Sequence, residues 1–176
     1  MVNAILNILK KKAAEKITFH DEEFDQLGFT LKEHIDTIFG RSLAIRAVDS
    51  GSDNSPEIEL VNLTTPHYDI ERFGITFVAS PRHADVLAVT GPVTNNMAIA
   101  VKKTYDAAPS PKYVIAIGDD ACDGGIYSGS YGVVGGVDKI IPVDIKIPGN
   151  PPAPITILKG LIGLMKSIRK KNCPGL

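Results

Sequence analysis

Residues 86–91, Val86-Leu87-Ala88-Val89-Thr90-Gly91, and residues 113–118, Tyr113-Val114-Ile115-Ala116-Ile117-Gly118, decide the fold. Each places apolar, aromatic or β-branched side chains in an unbroken row and stops at a glycine. A half-buried strand alternates apolar with polar residues, so an unbroken row means that both faces are covered, as in parallel sheets. Between the two lies a helical stretch from a capping Thr94 to about Tyr105, with Met97, Ala98, Val101 and Tyr105 on one face. Strand, helix and strand in this order imply a parallel pair with a crossover helix.

Working outward, the same grammar repeats. Ser42 to Val48 and Ile75 to Ala79 read as further strands. Ser55-Pro56-Glu57 has the form of a helix start, with Ser55 as cap and Pro56 in the first turn, and the helix runs to about Leu63. An acidic loop, Asp21 to Asp25, precedes a short helix over 31–39 with Leu31, Ile35 and Ile38 inward. Ile140 to Ile147 is extended but carries Pro142, which places it at an edge. A rigid loop, Pro148-Gly149-Asn150-Pro151-Pro152, leads into a last helix over 154–170. The reading is one α/β domain over 42–176, preceded by an N-terminal helical extension over 1–41.

Composition agrees: 176 residues, 44% hydrophobic and 22% charged, suit one globular domain with a real core. No apolar run approaches the roughly 18–20 residues that span a bilayer. The lysines near the N-terminus follow its short apolar stretch, which is not the order of a secretory signal. Charge is uneven: the two ends sum to +8 and the middle to −9, for a net −1. The basic residues lack interleaved aromatics, so nucleic-acid binding is not expected. Val2, Ile5, Leu6, Leu9 and Ala13 recur at helical spacing, an amphipathic basic helix suited to a partner or a membrane surface.

In a parallel sheet, sites form beyond the carboxyl ends of the strands. Here those loops are 49–57, 91–95 and 118–130, joined by 148–152. The glycine-rich stretch 118–136 matches neither a dinucleotide fingerprint nor a Walker loop, and Asp119, Asp120 and Asp123 would repel a phosphate. There is no nucleophile elbow, and His20, His34, His67 and His83 form no ligand-spaced pair. His83 with Arg82 and Asp85 reads as polar structure at a strand entrance. Glu57 and Glu59 are a conceivable proton site, although a first-turn glutamate is commonly explained by the helix dipole. Two cysteines, Cys122 and Cys173, exclude a disulfide scaffold and a four-cysteine metal site.

Several longer motifs resemble a known family. The stretch from Phe73 through Arg82 and Asp85 to Val93-Thr94 is similar to the proximal-cluster [4Fe–4S] component of complex I, the NADH–quinone oxidoreductase. It is closer still to the small subunit of membrane-bound, energy-converting [NiFe] hydrogenases. Lys112 to Asp119, Asp123-Gly124-Gly125, Ile140 to Asp144 and Ile147 to Pro154 follow the same pattern, so the resemblance runs in order from about Ser42 to Met165. It implies a flavodoxin-like three-layer domain with a mostly parallel sheet. It also implies a large hydrogenase-like or complex I-like partner over the loop face, membrane-arm subunits near the N-terminal helix, and a peripheral place on the cytoplasmic side of a membrane.

The family holds one [4Fe–4S] cluster on four cysteines. In the hydrogenase-type pattern the first two lie in Gly-Ser-Cys-Asn-Gly-Cys-Glu, where this chain has Gly51-Ser52-Asp53-Asn54-Ser55-Pro56-Glu57. The third follows Gly-Asp, here Asp120, and the fourth lies in Pro-Gly-Cys-Pro-Pro, here Asn150. The resemblance therefore marks Asp53, Pro56, Asp120 and Asn150 as cofactor-site positions that have lost their thiols, with Cys122 two residues past the third. No cofactor and no catalytic residue is expected. Asp53, Asp119, Asp120 and Asn150 are an oxygen-rich set with the right donors for a hard cation, against which stands a plain polar loop cluster. Mixed replacements suggest divergence or redesign in place of a uniform knockout. The expected role is a structural small subunit with a degenerate cluster site. The alternatives are an electron-transfer subunit with unusual ligands and a stand-alone flavodoxin-like binding domain or enzyme.

Overall fold

The computed structural model describes residues 21–172. The amphipathic helix expected over 2–16 and Cys173 lie outside the described residues. In chain order the main elements are α1 (Glu22–Phe39), β1 (Leu43–Asp49), α2 (Ser55–Leu63), β2 (Ile75–Phe77), β3 (Val86–Thr90), β4 (Val93–Thr94), α3 (Ala98–Ala107), β5 (Tyr113–Ile117), α4 (Asp119–Asp123), β6 (Val133–Gly135), β7 (Ile145–Ile147) and α5 (Pro154–Asn172).

Five strands form one sheet in the order β2-β1-β3-β5-β7, and every pair in it is parallel. Counting only these five, the order is 2-1-3-4-5, the flavodoxin-like arrangement. The direction of winding reverses between β1 and β3, so the loops after those strands flank a crevice. β4 and β6 make a separate antiparallel pair.

The unbroken apolar rows of β3 and β5 are covered on both faces. Val86, Ala88, Ile115 and Ile117 pack with Leu31 and Ile35 of α1, Leu60 and Leu63 of α2, and Ile157, Leu161 and Met165 of α5. Leu87, Val89, Val114 and Ala116 face the other way, against Val101 of α3 and Ala121 and Cys122 of α4. Each buried Leu, Ile or Val contributes about 1.5–3 kcal/mol of transfer free energy. The described part of the N-terminal extension shares this core: Phe24, Leu31 and Ile35 are fully enclosed.

Four local expectations are corrected. The acidic loop at 21–25 is the first turn of α1: Asp21 caps it by accepting from Glu23 N (3.1 Å), and Glu22, Glu23 and Asp25 lie at the favourable dipole end. The cap residue of α2 is Asn54, in the left-handed region at φ 72°, and Ser55 is already helical. Thr94 belongs to β4; α3 starts at Ala98, although Thr94 Oγ1 still accepts from Met97 N at 3.3 Å. Ladder pairing is limited to Ile145–Ile147, because Ile140 and Ile141 donate back to Val137 O (3.0 and 3.1 Å) and Pro142 has no N–H. β7 does lie at the sheet edge.

Asp85 is the polar pin of the opposite sheet end. It is 8% exposed, accepts from Arg41 Nη1 (2.9 Å) and Nη2 (2.6 Å), and accepts from Ala44 N (3.0 Å). Asp85→Ala leaves the buried Ala44 N–H without an acceptor. It is expected to lower unfolding free energy by about 1–3 kcal/mol in urea titrations, and Asp85→Asn by less, because its carbonyl still accepts.

Candidate functional site

The loops that follow β1, β3, β5 and β7 meet at the carboxyl end of the sheet, and their backbones satisfy one another. Ser50 is fully buried and donates its hydroxyl to Thr90 O (2.8 Å) and Gly91 O (2.9 Å). Gly91 has φ 72°, and a Cβ there would stand 2.4 Å from Ser52 Cα, so the two loops touch only because this residue is glycine. Glu57 accepts from Ser52 Oγ at 2.5 Å and from the Thr90 hydroxyl, tying α2 to the ends of β1 and β3. On the other side, Asp119 N donates to Gly149 O (2.9 Å) and Gly149 N to Asp119 Oδ1 (2.8 Å).

All four positions singled out from the sequence lie in this loop cluster. Asp53 is exposed, and its Oδ1 accepts from Ser55 N (2.9 Å) and Ser55 Oγ (2.5 Å). Those bonds hold its carboxyl below the ordinary carboxylate range. Pro56 is buried, its ring 3.8 Å from where a Cβ on Gly118 would stand. Asp120 and Asn150 line one open cleft of about 390 Å³ with Asp119, Asp123, Gly125, Ile126 and Ser128.

Asp120 is the unusual member. It is 7% exposed, and among the described residues its Oδ1 has no hydrogen-bond partner. Burial pushes its carboxyl above the usual range, and the charges of Asp53, Asp119 and Asp123 push the same way, against a smaller downward pull from Ile126 N–H. A Cβ on Gly125 (φ 49°) would fall 1.8 Å from that Oδ1, so only glycine leaves room for the carboxylate.

These residues do not fit a [4Fe–4S] cluster. Such clusters are held by thiolates. Pro56 has no donor atom, Asn150 offers a neutral amide, and the Asp53 carboxylate already accepts from Ser55. Cys122 is buried, and its Sγ faces Ala116 O at 3.9 Å, inward against β5. Burial raises that thiol to about 11. Among the described residues no group of three or more His, Cys, Asp or Glu side chains is placed to hold a metal ion. What the cluster can do chemically is present negative charge and hydrogen-bond acceptors.

Sequence reading took Glu57 as a dipole residue or proton site and missed its role as a tie. The signal available was the pair of hydroxyls, Ser52 and Thr90, at the ends of neighbouring strands. Glu59 accepts from Asn62 Nδ2 at 3.3 Å.

Two measurements check this geometry. Asp120→Asn removes a buried charge, so it is expected to stabilise the isolated chain by about 1 kcal/mol at pH 7. Because the folded carboxyl titrates above its unfolded value, the native charge weakens stability only above that range; the gain must vanish as pH falls through it. In a Cys173→Ser background, Cys122 is expected to resist iodoacetamide at pH 8 while folded and to react in denaturant.

Comparison with known proteins places this architecture. The family described as NADH ubiquinone oxidoreductase, 20 Kd subunit, matches residues 54–164. A protein of Pyrococcus furiosus described as "Probable membrane-bound hydrogenase subunit mbhJ" is 47% identical over 131 residues, 74% of this chain and 78% of that protein. A chain in the structure of the membrane-bound sulfane sulfur reductase, an archaeal respiratory membrane complex, superposes with a TM-score of 0.66 at 35% identity. That match covers 85% of this chain and 77% of the other. The chain belongs to the family of the NADH ubiquinone oxidoreductase 20 Kd subunit.

Proposed function

We propose that this chain is the small, proximal-cluster-type subunit of a membrane-associated oxidoreductase complex of the energy-converting hydrogenase or complex I kind. In it the chain serves as a structural, non-catalytic piece whose cluster site is degenerate. One observation carries the reading: Asp53, Pro56, Asp120 and Asn150 gather at the carboxyl end of a family fold, and among the described residues no thiol is turned toward them. Its relatives are named as parts of membrane-bound complexes, which supports the assembly.

The partner we propose over the loop face is a large hydrogenase-like or complex I-like subunit, with membrane-arm subunits near the N-terminal segment. Association with the membrane is peripheral, on its cytoplasmic side. Among the described residues no helix is long and apolar enough to cross a bilayer, which agrees with attachment through partners. Electrons are not relayed at this position in the reading.

The test is iron and acid-labile sulfide analysis with EPR after anaerobic reconstitution of the full chain. The expected result is no stoichiometric cluster. A [4Fe–4S] signal at one cluster per chain would instead establish an electron carrier with unusual ligands.

A further inference from the structure

We infer that the acidic cleft receives a cationic side chain, arginine or lysine, from the large partner subunit, seated against Asp120. This rests on the proposed place of the chain in such a complex and names what that partner must present. Three features of the cleft converge on it.

The first is an unmet charge. Asp119, Asp120 and Asp123 line the cleft with Asn150, and no cation is among the lining residues. Asp120 is more than nine-tenths buried, with Oδ1 unpartnered among the described residues. A buried carboxylate with one oxygen left unbonded is costly, and a partner's cation offsets part of that cost. Lys146 is already engaged elsewhere, donating to Asp138 Oδ2 (2.6 Å) and Cys122 O (2.6 Å).

The second is the arrangement of the donors. Asp119 Oδ1 accepts from Gly149 N and Asp123 Oδ1 from Gly125 N, both at 2.8 Å. No three carboxylates converge as a metal site among the described residues. A hard cation needs six or more oxygens close around it. A guanidinium or ammonium group donates outward to acceptors spread along a wall, which is what the cleft offers.

The third is the rim. Ile126 lines the cleft and is 81% exposed, and Tyr131 on the same loop is fully exposed. An exposed apolar side chain at the mouth of a polar recess, with an exposed aromatic ring further along the same loop, suits burial against a protein surface, where arginine commonly anchors the centre. A free ion would leave those side chains uncovered.

The experiment uses the tagged full chain isolated with its complex from membranes, washed over a salt series, with the hydrogenase-like large subunit quantified by mass spectrometry. Asp120→Asn is expected to lower its retention about tenfold at moderate salt. Asp120→Lys is expected to abolish retention. In the isolated chain, Asp120→Asn must leave the melting temperature unchanged or raised, which separates a lost contact from misfolding. Retention equal to wild type across the salt series overturns the inference alone, as does a lowered melting temperature. One-to-one binding of Ca²⁺ or Mg²⁺ by the wild-type chain in calorimetry, lost in Asp120→Asn, overturns it in favour of a metal. If the wild-type chain brings down no large subunit, the proposed function falls and this inference falls with it.

Discussion

Four loops end at one edge of a parallel sheet, and their backbone polar groups have to be satisfied there. In this chain they are satisfied by one another. Ser50 bonds the carbonyls of Thr90 and Gly91, Glu57 bridges Ser52 and Thr90, and Asp119 and Gly149 exchange hydrogen bonds. The reversal of winding between β1 and β3 opens the crevice, and these ties hold its walls in place.

Because the ties run between protein atoms, the scaffold and the cofactor chemistry are separable. In the reading proposed above, Asp53, Pro56, Asp120 and Asn150 stand where the family pattern carries thiols, and the surrounding loops still close. Two of the replacements are absorbed locally: Asp53 becomes an acceptor for Ser55 at the start of α2, and Pro56 packs in the first turn of that helix. Asp120 is not absorbed. It remains buried, surrounded by other carboxylates and incompletely bonded. That residue distinguishes a filled-in site from one that still presents something to a partner.

The sheet was legible because β3 and β5 carry no charged residues, and both fall on the boundaries read from Val86 to Thr90 and Tyr113 to Ile117. α5 was legible from its long apolar stripe. The misreadings occur where short-range chemistry competes with pattern. Asp21 to Asp25 resembles a loop by composition and is a capped helix start. Residues 140–144 look extended by β-propensity, but the turn at Val137 takes the N–H groups of Ile140 and Ile141. At the site, family motifs singled out four positions that the fold brings into one loop cluster, whereas the Glu57 ties and the burial of Asp120 needed the fold itself.

The most direct test of the central claim, a family scaffold retained without its cluster, is a high-resolution cryo-EM map of the complex isolated from membranes. The account predicts this chain in the small-subunit position, with ordered side-chain density at Asp53, Pro56, Asp120 and Asn150 and no cluster between them. A cubane-shaped density ligated by any of these residues, or by Cys122 turned outward, would contradict it.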